Sequence, residues 1–338
     1  MKKTLLLLAA FAMTMAASAG NIHIKGTVEN GGDSVAAMAF SSKDKAVKSG
    51  INNNKFDFNF PLESVDLMMV RTKPAAGQQR GAVFMFLAVP GETAELSTAG
   101  THYYVSGSKF YQAFNQLDRA TENMKSTDEQ VACLINYIKK NPNTDVPVAF
   151  FSQLGDYDAI MKIYKQMSVK AKNGRMKQYI ARTLANAKAE KAEAEAAAKK
   201  QAAGLVAPDF TLNDINGKPL KLSSLQGKYV LLDFWGSWCI WCMRGMPQMK
   251  SYYEKYKGKF EILGIDCNES EAKWKEAVAK NNLSWLHVYN PRTSSVLADY
   301  GIQGFPTKIL IGPDGKIVKT IVGEDPTFYT FLDGLFGK

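Results

Sequence analysis

Between residues 22 and 106, apolar and polar positions alternate in short runs, the two-residue period of strands buried on one face. Ile22, Ile24 and Val28 alternate with polar neighbours, Gly31-Gly32 and Asn52-Asn53-Asn54 mark turns, and Phe56, Phe58 and Phe60 alternate strictly up to Pro61. Leu67–Val70 and Val83–Val89 are short continuous apolar runs, Pro90-Gly91 is a turn, and Ala94–Leu96 and Tyr103–Val105 add strands. The pattern predicts a small antiparallel β domain of sandwich type. From residue 108 helical spacing takes over: Val131, Leu134, Ile135 and Ile138, stopped by Asn141-Pro142, then Val148–Leu154 and Ile160–Met167. Residues 181–203 hold 11 alanines and 8 charged residues, with no Gly or Pro and no apolar stripe after Leu184. That composition predicts a solvent-exposed connecting helix acting as a spacer, with a coiled-coil arm as the alternative.

Residues 205–338 change character again. Phe210, Leu212, Leu220 and Leu222 flank the turn Asn216-Gly217. Apolar runs at Tyr229–Phe234 and Phe260–Ile265 read as buried strands, and Ile309–Ile311 and Ile317–Ile321 flank a second hairpin turn at Pro313-Asp314-Gly315. Helical stretches at Met243–Lys257, Ser270–Lys280, Thr293–Tyr300 and Thr327–Phe336 separate or close them. The order predicts an α/β domain, a mixed sheet with helices on both faces.

Composition adds limits to this picture. The 338 residues carry 42 Lys+Arg against 32 Asp+Glu, a net charge of +10. No basic block or aromatic-interleaved basic stripe occurs, so nucleic acid is not an expected partner. Four cysteines are too few to build a disulfide scaffold. Lys2 and Lys3, the apolar run Leu5–Met13 and the small-residue site Ala17-Ser18-Ala19 predict a cleaved export leader over residues 1–19 and a periplasmic location. The expected organisation is therefore a leader (1–19), a β-rich domain (20–106), a helical region (107–203) and the α/β domain (204–338).

Trp238-Cys239-Ile240-Trp241-Cys242 follows directly on the run Val230–Phe234, leaving a strand and opening a helix. At the helix N-terminus, free N–H groups and the macrodipole favour a Cys239 thiolate, while Cys242, one turn further in, should be more buried. The asymmetry fits thiol–disulfide exchange: Cys239 as nucleophile, Cys242 as resolving thiol. Half of a zinc site would need ligands from Cys133, Cys267 or three scattered His. Haem attachment would need His where Met243 stands, and a purely structural bridge across four residues closes almost no loop. No metal and no cofactor beyond the redox-active Cys239–Cys242 pair is expected. Ile240-Trp241 place no cation beside the thiolate, which favours a reductant over an oxidant.

With these residues in view, 205–338 resembles the thioredoxin fold, specifically the secreted thiol–disulfide oxidoreductases of the TlpA/ResA type. Ala207-Pro208-Asp209-Phe210, Gly227-Lys228, the run Asp233–Trp238 into Cys239 and Cys242, Pro247, Gly304-Phe305-Pro306-Thr307 and Gly312–Gly315 carry the resemblance. It implies a cis-proline at Pro306 beside the disulfide, and a substrate-binding surface formed by Trp238, Ile240, Trp241, Phe305 and Pro306. It also implies that Asp233 is a buried acid moving the proton of Cys242, with its pKa raised by desolvation; a strand acid bonded to a nearby lysine is the plainer alternative. Relatives often carry glutamate three residues after the second cysteine; here that position is Gly245, implying close packing or open space there. Cys267, ending the run Phe260–Asp266, is a candidate accessory thiol or a buried cysteine, and Cys133 reads as structural. The expected activity is reduction of protein disulfides with electrons from a membrane donor. The alternative is a disulfide isomerase in which residues 20–203 mediate dimerisation or substrate binding. A thiol peroxidase would need a proline ahead of the reactive cysteine, and a non-enzymatic binding protein would carry a vestigial redox domain.

Overall fold

Ile22 and Ile24 lie fully buried in β1 (Asn21–Thr27), facing Phe60 and Phe58 across an antiparallel pairing with β4 (Lys55–Pro61). The computed structural model describes residues 20–29, 31–42, 46–99 and 102–337; the expected leader lies outside the described residues. The other early strands are β2 (Gly31–Ala39), β3 (Ala46–Gly50), β5 (Asp66–Pro74), β6 (Val83–Ala88), β7 (Thr93–Ala99) and β8 (His102–Gly107). They form two four-stranded sheets, ordered β4-β1-β7-β8 and β3-β2-β5-β6. Ile22, Ile24, Phe56, Phe60 and Leu96 from one sheet and Val35, Met68, Val70 and Phe84 from the other share one core, the arrangement of a sandwich. The sheets are not wholly antiparallel: β1 pairs parallel with β7, His23 opposite Thr93. Consecutive strands joined by tight turns must run antiparallel, but these two are joined through the second sheet and are free of that constraint. Gly26 is required where they meet, since a Cβ there would lie 2.5 Å from both the Leu96 carbonyl oxygen and the Phe56 ring.

The helices that follow are α1 (Lys109–Thr121), α2 (Thr127–Lys140), α3 (Phe151–Leu154), α4 (Tyr157–Gln166), α5 (Val169–Lys172) and α6 (Lys177–Lys200). Ser126 caps α2 by accepting from the Glu129 N–H, and the helix ends before Asn141-Pro142. Leu117, Leu134, Ile160 and Ile163 join the same core as the strands. The chain divides into two compact units between Ala189 and Glu190, inside α6. Within the first unit α6 buries Tyr179, Ile180 and Ala187. Its last residues are engaged within the second unit: Lys200 Nζ donates to the Ala298 carbonyl and Gln201 Nε2 to those of Tyr300 and Gly301. The alanine-rich end is thus held by polar contacts and by small size against Gly301, neither of which leaves an apolar stripe.

The second unit has a thioredoxin-like fold. Its seven-stranded sheet is ordered β10-β9-β13-β12-β11-β14-β15. The elements are β9 (Thr211–Asp214), β10 (Pro219–Lys221), β11 (Tyr229–Trp235), α7 (Ile240–Lys255), β12 (Phe260–Asp266), α8 (Glu271–Lys280), β13 (Leu286–Tyr289), α9 (Val296–Asp299), β14 (Thr307–Ile311), β15 (Ile317–Val322) and α10 (Pro326–Phe336). Strands β11, β12 and β13 are mutually parallel, and β14, β15, β9 and β10 add antiparallel neighbours. Each face has its own core. One holds Leu231, Trp235, Ile262 and Leu310 with residues of α7, α8 and α10; the other holds Val230, Leu232, Phe234, Ile265 and Ile309 with Val296 and Tyr300.

Candidate active site

Because side chains alternate across a strand, Asp233 shares the face of Leu231 and Trp235, whose core also contains Cys239 and Cys242. The same register places Lys308 of β14 directly opposite Asp233. One face of two central strands therefore presents an acid and a base to the helix carrying the cysteines.

Cys239 is the N-cap of α7, and its sulfur accepts from the Cys242 N–H at 3.1 Å. The two cysteines are joined in a disulfide. Cys239 is 6% exposed and Cys242 3%, so in the oxidised pair both residues are largely covered, the second more than the first. The exposed surface around them is made by Trp238, Ile240 and Trp241, with Val322 also exposed on β15. Trp238 meets the Phe305 ring edge-to-face at 5.4 Å and donates its indole N–H to the Cys267 carbonyl at 2.8 Å. The Arg244 guanidinium lies 4.9 Å above the Trp241 ring. The Phe305-Pro306 bond is cis, and Pro247 lies inside α7. The turn before Cys239 is held by Glu269, which accepts from the Ser237 N–H at 2.7 Å and from the Ser237 hydroxyl.

Asp233 is almost completely buried, and among the described residues neither carboxylate oxygen has a hydrogen-bond partner. Burial raises its pKa to about 6; the Lys308 ammonium opposes the rise and Glu324 adds to it. Lys308 Nζ lies 3.9 Å from Asp233 Oδ1 but 2.5 Å from Glu324 Oε1, to which it donates. Glu324 fills the space beside Gly245: a Cβ on that glycine would stand 2.2 Å from Glu324 Oε1. Of the two expectations for position 245, close packing or open space, the structure shows close packing, and it comes from a carboxylate on another element.

Cys267 is fully buried, in the core on the opposite face from the disulfide, with its thiol donating to the Ile265 carbonyl. Burial and the nearby Asp266 and Asp233 charges push its pKa up, so it is held as a thiol away from solvent. Cys133 is half-buried against the core of the first unit. Lys308, Glu324, Asp266 and Glu269 were not singled out in the sequence. Asp266 ends β12 fully buried, its pKa raised to about 9 by burial and by Glu269. The usable signal was an acid or lysine inside an apolar strand run, which Asp266 and Lys308 both satisfy; Glu324 and Glu269 lie in loops and gave none. Among the described residues no cluster of three or more His, Cys, Asp or Glu could hold a metal ion, and no helix is long and apolar enough to cross a membrane.

A family model described as thioredoxin-like matches residues 227–317. The thiol-disulfide oxidoreductase ResA of Bacillus thuringiensis strain Al Hakam is 39% identical over 127 residues, covering 37% of this chain and 73% of the relative. ResA of Bacillus subtilis strain 168 is 36% identical over 121 residues, covering 36% and 67%. Among solved structures, the thioredoxin domain of a thiol-disulfide oxidoreductase from Bacteroides vulgatus is 35% identical, with TM-score 0.38, covering 40% of this chain and 98% of that domain. A thiol:disulfide interchange protein from Bacteroides sp. is 33% identical, with TM-score 0.39, covering 41% and 93%.

Proposed function

The chain belongs to the ResA family of thiol-disulfide oxidoreductases, and from that premise we propose that it reduces protein disulfides by dithiol–disulfide exchange through Cys239 and Cys242. The observation that carries the reading is the disulfide at a strand-to-helix junction, with Cys239 capping α7 and accepting the Cys242 N–H. In the reduced enzyme those N–H groups and the helix dipole stabilise the Cys239 thiolate. It attacks one sulfur of a substrate disulfide; that S–S bond breaks, a Cys239–substrate bond forms and the first substrate thiolate leaves. Cys242 then gives its proton to Asp233 and attacks Cys239, releasing the second substrate thiolate and regenerating the enzyme disulfide. The substrate gains two electrons and the Cys239–Cys242 pair loses two; a membrane-borne dithiol donor restores them. Trp238, Ile240, Trp241 and Phe305 offer an apolar platform for the substrate, and the Phe305 backbone beside Pro306, which has no N–H of its own, pairs with an extended substrate segment. Cys267 takes no part in this scheme. The leader motif in residues 1–19 supports a periplasmic setting.

Insulin reduction tests the scheme. Cys239→Ser abolishes turnover, and Cys242→Ser accumulates a mixed disulfide with substrate; full activity in both variants would sink the mechanism. An isomerase instead restores scrambled ribonuclease, and does so as a dimer by solution mass.

A further inference from the structure

The carboxylates of Asp233 and Glu324 compete for one buried ammonium, and the distances show which has it. Lys308 is 3% exposed and Asp233 2% by side chain; two opposite charges so placed would ordinarily close into a direct pair, since an unpaired buried charge is costly. Here Lys308 stops 3.9 Å short of Asp233 and bonds Glu324 at 2.5 Å. Two independent features hold Glu324 in place. Its backbone is fixed next to Asp325, the N-cap of α10, which accepts from the Thr327 N–H at 2.8 Å. Its carboxylate occupies the volume left by the missing side chain at Gly245, where a Cβ would lie 2.2 to 2.6 Å from three of its atoms. The side chain of Glu324 is 20% exposed, so it is the end of the group in touch with solvent.

We propose that Glu324 is a positioning residue of the redox site: it draws the Lys308 ammonium out of hydrogen-bond reach of Asp233, leaving the Asp233 carboxylate oxygens without a bond to it and able to take the proton of Cys242. The inference rests on the exchange reading above. The titratable groups that face Asp233 are Lys308 of β14, Glu324 of the loop after β15, the buried Tyr329 of α10 and Cys242 of α7, and the buried Cys267 thiol beyond β12 lies in the core on the other face. Only Lys308 is a cation, so its position decides how readily Asp233 gives up its charge. In the second half of the reaction the Cys242 S–H bond breaks, its proton passes to Asp233, and the electron pair left on sulfur forms the bond to Cys239 as the substrate thiolate leaves. A lysine closed onto Asp233 would hold the acid ionised and make it a weaker base.

The test is the pH dependence of mixed-disulfide resolution, followed in single turnovers of the full chain. Glu324→Gln frees Lys308 to close on Asp233, and the acid-side midpoint of the profile moves down by about one pH unit, a typical effect of an opposite charge brought within a few ångströms. Gly245→Ala displaces the Glu324 carboxylate and moves the midpoint the same way. Lys308→Met removes the cation and moves it up. Opposite signs in these variants are not what a general loosening of the fold produces. Midpoints of Glu324→Gln and Gly245→Ala that coincide with the parent's, or shift upward, overturn the proposal. Should Gly245→Ala fail to fold, Glu324→Gln alters a partly exposed side chain without changing its size and decides alone. Failure of the exchange reading is seen separately, as activity surviving in Cys239→Ser and Cys242→Ser.

Discussion

An aspartate buried in the centre of a sheet has its ionised form opposed by its own surroundings, and this ties activity to stability at Asp233. Its folded pKa of about 6 lies above the ordinary 3.8, so the folded chain holds the proton more tightly than the unfolded chain. Stability therefore falls as pH rises from about 4 to 6 and is level in this respect above that range. Asp233→Asn removes the penalty. We expect the oxidised variant to match the parent near pH 3.5 and to exceed it by roughly 2–3 kcal/mol at pH 7, the rise from 3.8 to about 6 expressed as free energy. Urea titrations at the two pH values check this; equal stabilities at pH 7 would contradict it. Turnover of the same variant should fall by about 100-fold, the usual scale for losing a general base. At this scale a polar residue breaking an apolar run was the readable signal, followed at Asp233 and passed over at Asp266 and Lys308. Asp233 stood out for that reason, and Cys239 and Cys242 stood out by spacing. Glu324 did not, because a loop glutamate is ordinary until folding places it against Gly245.

The elements that build the site do so by register. In β11 the two-residue alternation sends Val230, Leu232 and Phe234 to one core and Leu231 and Trp235, with Asp233 between them, to the other. Pairing with β14 then puts Lys308 opposite the acid. Tight fits between strands sustain that register. At Gly264 of β12 a Cβ would stand 2.6 Å from His287 Nδ1 and 3.1 Å from Trp235 Nε1. Gly264→Ala should destabilise the second unit by about 1–3 kcal/mol, the scale of overpacking in a closed core, read from chemical denaturation followed by redox-site fluorescence. The long elements were legible from periodicity: the active-site strand and helix, the closing hairpin and α10 lie where the apolar pattern put them. Strand β13 was not. Its four residues, Leu286–Tyr289, include a histidine and are too few to show a clear two-residue alternation. His287 is buried there and, with its pKa lowered to about 4, neutral, so it packs as an apolar residue would.

Across the whole molecule, two units are separable by their cores, and they differ in how much could be read in advance. The second unit was recognisable because its motifs recur at fixed places in its fold. In the first, the alternating phenylalanines announced strands, but the parallel β1–β7 pairing and the sharing of one core by strands and helices depend on contacts remote in sequence. Residues 190–338 made alone should fold and reduce insulin. A fragment beginning at residue 205 should melt several degrees lower. It loses the bonds from Lys200 and Gln201 to the 298–301 turn, and those of the Gln201 carbonyl to Thr320 and of the Gly204 N–H to Ile317, each worth about 0.5–1.5 kcal/mol. Equal melting temperatures for the two fragments would count against that role for the end of α6. In the first unit β1, the opening strand, lies in the interior of its sheet, with β4 on one side and β7 on the other. A ribosome delivers β1 early and β7 some 70 residues later, since His23 pairs with Thr93. Until then Ile22 and Ile24 sit on a strand with one side open, and the nascent chain carries a ready template for misplaced pairing. Assembly of this unit is therefore a late, long-range event in synthesis, slow by the logic of non-local contacts, and the interval before it is when a holding chaperone would have most to bind.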